Sequence, residues 1–564
     1  MISLIAGYPI AFVYSILIYR LPAKLQHCYL LFFGLLLCFW NFGFQVIHMI
    51  IAIGYTYAVL GRYPATGFSV IAVVLFNLAY LFYGYATYLD YDGVISWTTP
   101  FCILVLRLIG LAWDSYDGKK ARPELSEYQK RFALTQLPGL LEVFAFCFTP
   151  TAFMIGPQFP MRHFQQFVDQ SLRPSILQEH LTERNSILRN KKIQRIVTRL
   201  VMATLYLAIF VKLSPIFSLK YVTSKEFLEE RSLFYKLTYL GVYSKLCIIR
   251  YFVVWLIGEG ASVMLGLGCT GKVIVTEVNP ETKPKKSLLT DNKNAVFPSD
   301  YDVRKLLSDL SSNKIKVTEA DHTAAANVSV VRFEMATNTD GFVSGHNINT
   351  NKWMLEYVYK RFRFLGNKYL SQVLTLLFLA VWHGFHSGYY VNFFLEFITV
   401  VVEKDFISIV KLSKHKQFLY DTWPGAILST IAGKIHLFYL LGTPLTCFTL
   451  LKSAHYLPII KSTYGIAFIY LLWPLGRPIV KAIFPRKRTI VIKDNQNSSL
   501  TKEDKKDAPL EVEEDPLDAA TRLRRRSRAA VDEGAMDEEE SECKSYDETA
   551  KIVQIVSSEE TKQE

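Results

Sequence analysis

Most of this sequence is laid out in uninterrupted apolar runs, and those runs decide what the chain can fold into. Ile2–Tyr19, Tyr29–Ala52, Phe68–Leu89, Leu137–Ile155, Leu200–Ile216, Tyr369–Val381, Ala426–Leu451 and Ile459–Leu475 are all of this kind. Their typical length, about 20 residues, is what a helix needs to cross a hydrocarbon core of about 30 Å. With no water in that core, backbone N–H and C=O groups must pair within each segment, and a helix does this at every residue. The composition agrees: 51% of the 564 residues are hydrophobic and only 20% are charged. When Leu233–Cys269 is counted as a hairpin of two merged halves, the pattern predicts an all-α, polytopic integral membrane protein with roughly ten to twelve membrane helices. The multi-helix domain is expected over residues 1–485. A polar insert is expected within it at 272–316, and a charged, disordered cytosolic tail at 486–564.

The first apolar run has no basic segment before it and no small-residue cleavage site after it, so it reads as a retained helix. The eight cysteines are scattered, mostly inside apolar runs and without a CxxC pair, which predicts buried small hydrophobes rather than disulfides or a zinc site. The net charge of +13 sits largely in clusters beside apolar runs: Lys119-Lys120, Arg184–Arg199, Lys360–Lys368 and Arg486–Arg488. Juxtamembrane Lys and Arg mark the cytosolic side and favour anionic headgroups, so the surplus points to membrane lipids and not to nucleic acid. The loops carrying these clusters, and the tail, are therefore placed in the cytosol.

Ionisable residues inside apolar runs are costly and need an explanation. Arg107, Asp114, Asp117, Glu142, Lys245, Arg250, Glu259, Glu396 and Lys434 are of this kind. Most stand near the ends of runs, where snorkelling or pairing between helices accounts for them. Arg107 and Arg250 are the best binding candidates, because an acidic ligand head requires a cation that stays charged. The run AVWHGFHSGYYVNFFLEFI, Ala380 to Ile398, differs in holding two histidines. On one continuous helix His383 and His386, spaced i and i+3, share a face, and Gly384 and Gly388 let another backbone or a ligand come close. A metal pair is disfavoured by the lack of an HExxH glutamate or further histidine boxes. Polar packing and a neutral imidazole acting as general base both remain open on composition alone.

Six motifs, spread in order along the chain, carry a resemblance. Trp382–Tyr390 (WHGFHSGYY) resembles the signature of the membrane-bound O-acyltransferase (MBOAT) family, and His346–Trp353 (HNINTNKW) resembles its asparagine motif. KRFRFLGNKYLSQ (Lys360–Gln372), RLIGLAWDSYDGK (Arg107–Lys119), GPQFP (Gly156–Pro160) and GLGCTG (Gly266–Gly271) are similar to the lysophospholipid acyltransferase branch of that family. The sequence departs from the pattern at His346, where relatives usually carry an aromatic residue, and in the length of the Lys272–Lys316 loop.

The resemblance implies an acyltransferase that moves an acyl chain from acyl-CoA to the free sn-2 hydroxyl of a lysophospholipid. It implies His383 as catalytic base and Asn347 as its partner, with Asn349 and Asn351 close enough to compete for that role. Trp382, His386, Arg107, Arg250, Arg361 and Arg363 are the expected substrate-binding residues. No metal or cofactor is expected, acyl-CoA being a substrate. The implied setting is the endoplasmic reticulum membrane, with membrane lipids as partners, and the resemblance admits a homodimer. A sterol or peptide acceptor is the rival within the family. A proton-coupled transporter is the rival outside it, and it should show inverted repeats that this sequence lacks.

Overall fold

The computed structural model describes residues 1–87, 96–172, 185–270, 273–277, 286–289 and 315–486. Residues Met1–Pro485 form one compact unit. Among the described residues, seven helical stretches are long and apolar enough to cross a membrane: Ala23–Arg62, Gly67–Thr87, Thr98–Asp117, Lys192–Leu213, Leu233–Leu265, Trp423–Leu450 and Ile466–Ile483. Ile2–Ile16 is a shorter apolar helix. Two of these stretches lie inside the others. Thr98–Asp117 and Leu233–Leu265 are buried along most of their length, whereas the remaining ones show large apolar side chains outward, among them Phe32, Trp40, Leu75, Val201 and Ile431. A chain whose outer surface is this apolar has lipid as its solvent. The molecule is a multi-pass membrane protein, helical as expected.

Three of the expected runs fold differently. Leu233–Cys269 is not a hairpin: Leu233–Leu265 is a single helix of 33 residues, begun at Ser232 and ended by Gly266 at φ 109°. No proline interrupts it, so nothing forces a turn. Tyr29–Ala52 is split between Ala23–Phe42 and Val46–Arg62, which meet at Gly43 (φ 55°), a conformation that glycine tolerates best. Leu137–Ile155 does not span. It holds only the short helix Leu140–Cys147, followed by irregular backbone to Pro160. Irregular backbone survives at membrane depth only where protein satisfies its carbonyls, and here Arg107 on the central helix does so. Its Nη1 donates to the carbonyls of Phe146 (3.0 Å) and Cys147 (2.9 Å), and its Nη2 to those of Ala152 (2.7 Å) and Pro157 (3.3 Å).

The polar insert is not wholly irregular. Val273–Glu277 is the central strand of a three-stranded antiparallel sheet, between Lys286–Leu289 and Ile315–Ala320. Val273–Glu277 is short and rich in β-branched residues, as suits a strand. The expected tail lies outside the described residues beyond Arg486.

Candidate active site

The site is built on a helix that stops at its own histidine. Lys368–His383 starts under a side-chain cap, with Asn367 Oδ1 accepting from the amides of Tyr369 (3.0 Å) and Leu370 (3.2 Å). Such a cap contributes about 1 kcal/mol. The helix ends at Gly384, whose φ of 128° is a conformation L side chains rarely adopt, and the next helix, Ser387–Leu412, begins after His386. His383 and His386 therefore do not share the face of one helix: they flank a break. Gly388 does meet a second backbone as expected. Its amide donates to Leu451 O (2.9 Å), and a Cβ there would collide with Cys447 O on the helix Trp423–Leu450.

Neighbours on three elements hold the His383 ring. Trp382 (4.6 Å between ring centroids), Tyr389 (5.4 Å), Phe393 (5.6 Å) and Phe448 (5.0 Å) surround it. Trp382 is buried and fully engaged: its indole donates to Cys102 O (3.0 Å), and its own carbonyl accepts from Tyr85 OH (2.9 Å). Trp382 thus fixes the ring beside it rather than presenting a polar group to a ligand. His383 itself is only partly buried, and among the described residues neither ring nitrogen has a hydrogen-bond partner. An imidazole that is held in place by ring packing, reachable and unbonded keeps a lone pair for an incoming hydroxyl.

The structure also separates the three asparagines. Asn349 Nδ2 donates to Ala326 O (3.2 Å), and Asn351 Nδ2 donates to Val343 O (2.9 Å) and His346 O (2.7 Å). Both amides are spent on holding their own loop. Asn347 stands alone at φ 47°, ψ 45°, the left-handed region, and its carboxamide bonds nothing among the described residues. A non-glycine residue held in that region is a strain that functional sites often carry. The departure at His346 costs little. Its ring is stacked on Phe342 (6.0 Å) and edge-on to Trp255 (5.2 Å), and burial pushes its pKa down to about 4, so it packs as an uncharged aromatic ring.

The basic residues divide. Arg107 does not meet a ligand head, since its guanidinium is spent on the four carbonyls named above and lies over the Phe159 ring (4.6 Å). Nor does Arg361. It pairs bidentately with the buried Asp117 (2.8 and 2.5 Å) and stacks over Trp113 (4.2 Å), which ties the Lys360–Leu365 turn to the central helix. Arg363 is exposed, and His386, also expected to bind substrate, lies at the helix break with its ring 6.3 Å from Tyr389. Arg250 remains accessible. It has no carboxylate partner among the described residues, touches Tyr251 OH at 3.5 Å, and lies within electrostatic reach of Tyr389. The ring Tyr251–Trp255 (5.7 Å) continues from there to His346, next to Asn347. Phe448 and Phe393 are site residues that no sequence pattern marks. The first arrives from a helix remote in sequence, and the second reads as an ordinary core phenylalanine.

An unbonded histidine packed among aromatic rings and an unbonded asparagine are the groups that a base and an oxyanion donor for acyl transfer between lipid-like molecules require. Residues 81–449 match the model of the MBOAT, membrane-bound O-acyltransferase family, and the chain belongs to that family. It is an acyltransferase. Over 492 residues it is 32% identical to lysophospholipid acyltransferase 5 of Rattus norvegicus, an alignment that takes in 86% of this chain and 90% of that protein. The protein of the same name from Homo sapiens is 32% identical over 494 residues, covering 87% and 90%. That of Drosophila melanogaster is 32% identical over 485 residues, covering 84% and 85%.

Proposed function

We propose that this protein is a lysophospholipid acyltransferase that moves an acyl chain from acyl-CoA to the free sn-2 hydroxyl of a lysophospholipid. Lysophosphatidylcholine is the first acceptor, with lysophosphatidylethanolamine and lysophosphatidylserine also taken. The observation that carries this reading is the state of His383: fixed by aromatic packing, partly accessible and without a hydrogen bond. Lysophospholipid acyltransferases among the relatives support the acceptor class.

The acceptor hydroxyl is a weak nucleophile. His383 takes its proton as the oxygen attacks the thioester carbonyl, and a positioned base of this kind contributes about 10²–10⁴-fold. The Asn347 amide donates to the developing oxyanion. Collapse of the tetrahedral intermediate breaks the C–S bond, and the imidazolium returns the proton to the departing CoA thiolate. Bonds and protons balance without an acyl-enzyme. Both substrates bring acyl tails, worth about 0.8 kcal/mol for each buried methylene, so they reach the site from lipid. The polyanionic CoA head enters from the cytosol, where exposed Arg363 and Lys368 are suited to meet it. The protein acts in the endoplasmic reticulum membrane with its C-terminal tail in the cytosol.

Purified protein in mixed micelles tests this. Free CoA thiol should appear with an oleoyl-CoA donor only when a lysophospholipid is added, with lysophosphatidylcholine among the best acceptors. Release that needs a sterol or a peptide and ignores lysophospholipids would overturn it.

A further inference from the structure

Charged side chains on the inner helices mostly find partners. Glu259 pairs with Arg195 and Arg199, both at 2.7 Å, and Lys245 pairs with Glu334 at 2.7 Å. Glu403 accepts the Thr339 amide at 2.7 Å, and Arg107 and Arg361 are engaged as described above. Arg250 and Glu396 stand apart. Neither has an oppositely charged partner among the described residues, and Glu396 accepts no hydrogen bond there. An unpaired carboxylate within an apolar helix is costly, which marks it as a place where function outweighs stability.

Helix geometry places Glu396 beside the chemistry. On Ser387–Leu412, Tyr389, Phe393 and Glu396 are spaced i, i+4 and i+7, which puts them on one face. Tyr389 and Phe393 are the residues that touch the His383 ring, and Tyr389 is also the one within electrostatic reach of Arg250. Glu396 follows Phe393 by about 4.5 Å along the axis and Tyr389 by about 10 Å. The His383 ring is nearly equidistant from those two aromatics, 5.4 Å from Tyr389 and 5.6 Å from Phe393.

Building on the acceptor class proposed above, we infer that Arg250 and Glu396 together read a zwitterionic headgroup. The guanidinium takes the phosphodiester, and the carboxylate takes the ammonium, flanked by the Tyr389 and Phe393 rings that favour a cation over their faces. A headgroup that fills both positions sets the sn-2 oxygen beside His383. Glu396 is then a specificity-determining residue and takes no part in bond making.

The test compares purified wild type and Glu396→Gln on two acceptors, lysophosphatidylcholine and lysophosphatidylglycerol, which share the phosphodiester and differ in the ammonium. The ratio of kcat/KM for the choline lipid over the glycerol lipid should fall roughly tenfold in the variant, the scale of one lost charge-assisted contact, with the loss carried by KM. Equal proportional losses on both acceptors, or no loss on either, would overturn the assignment. Should the glutamine variant fail to accumulate, Glu396→Asp, with its charge on a shorter arm, must lower the same ratio, and a uniform loss again counts against it. Wild type inactive on every lysophospholipid would instead remove the acceptor class and the headgroup assignment with it. Wild type active, with an unaltered ratio in the variants, removes the headgroup assignment alone.

Discussion

Within the asparagine motif, the three side chains predict three different outcomes. Asn347→Ala should lower kcat about 10²-fold, the scale of one lost oxyanion donor, with only a modest fall in the melting temperature of the detergent-solubilised protein, because alanine suits the left-handed backbone there less well than asparagine. Asn351→Ala removes two donors to backbone carbonyls, so it should lower the melting temperature as well as the activity. If Asn349→Ala or Asn351→Ala is inactive at full stability while Asn347→Ala keeps its turnover, the assignment moves to them. His346→Phe exchanges one packed ring for another, and kcat/KM should stay within about threefold, well under 1 kcal/mol. A collapse of activity in that variant would show that the imidazole nitrogens matter. The candidate histidine and asparagine were legible from their motifs. What the sequence hid is the bonding state of each amide, because Asn347, Asn349 and Asn351 differ only in which carbonyls the folded loop brings to them.

At the level of helices and turns, charges that the sequence marks as ligand contacts prove to hold the scaffold together. The Arg361–Asp117 pair is buried, and removing one partner leaves the other charge stranded at a cost of about 3–5 kcal/mol. Arg361→Ala should therefore show a sharply lower melting temperature and yield. In whatever fraction folds, KM for acyl-CoA should be little changed, and a raised KM at wild-type stability would restore Arg361 as a substrate contact. Arg107 obeys the same logic, and its lesson is general: a cation inside an apolar run is equally a means of satisfying carbonyls where a helix is interrupted. Sequence periodicity marks helices well and interruptions poorly. Leu137–Ile155 reads as a span because its apolar content is high, yet the backbone after Cys147 leaves the helix and is clamped from the side. Leu233–Leu265 shows the converse, a run too long for one crossing that continues without a break.

Considered as a whole, the molecule sorts its helices by environment. Lipid-facing helices are apolar outward, and the two inner helices carry buried polar groups that tie neighbouring segments to them. This arrangement explains why membrane class and helical fold were readable from runs of apolar residues alone, while the number of spans was not: counting runs assumes that each is one straight helix. It also explains why the small sheet formed by Val273–Glu277, Lys286–Leu289 and Ile315–Ala320 went unforeseen, for a polar insert with proline and lysine clusters carries only short β-branched stretches as a signal. The proposed chemistry converges on one side chain, His383. Turnover of His383→Ala should be measured in reconstituted liposomes with acyl-CoA and lysophosphatidylcholine, alongside size-exclusion and thermal-melt profiles matching wild type. Acyl transfer should fall by about 10²-fold or more, the least a lost general base implies, with lysolipid still bound. A folded variant that transfers acyl chains at the wild-type rate would contradict the account.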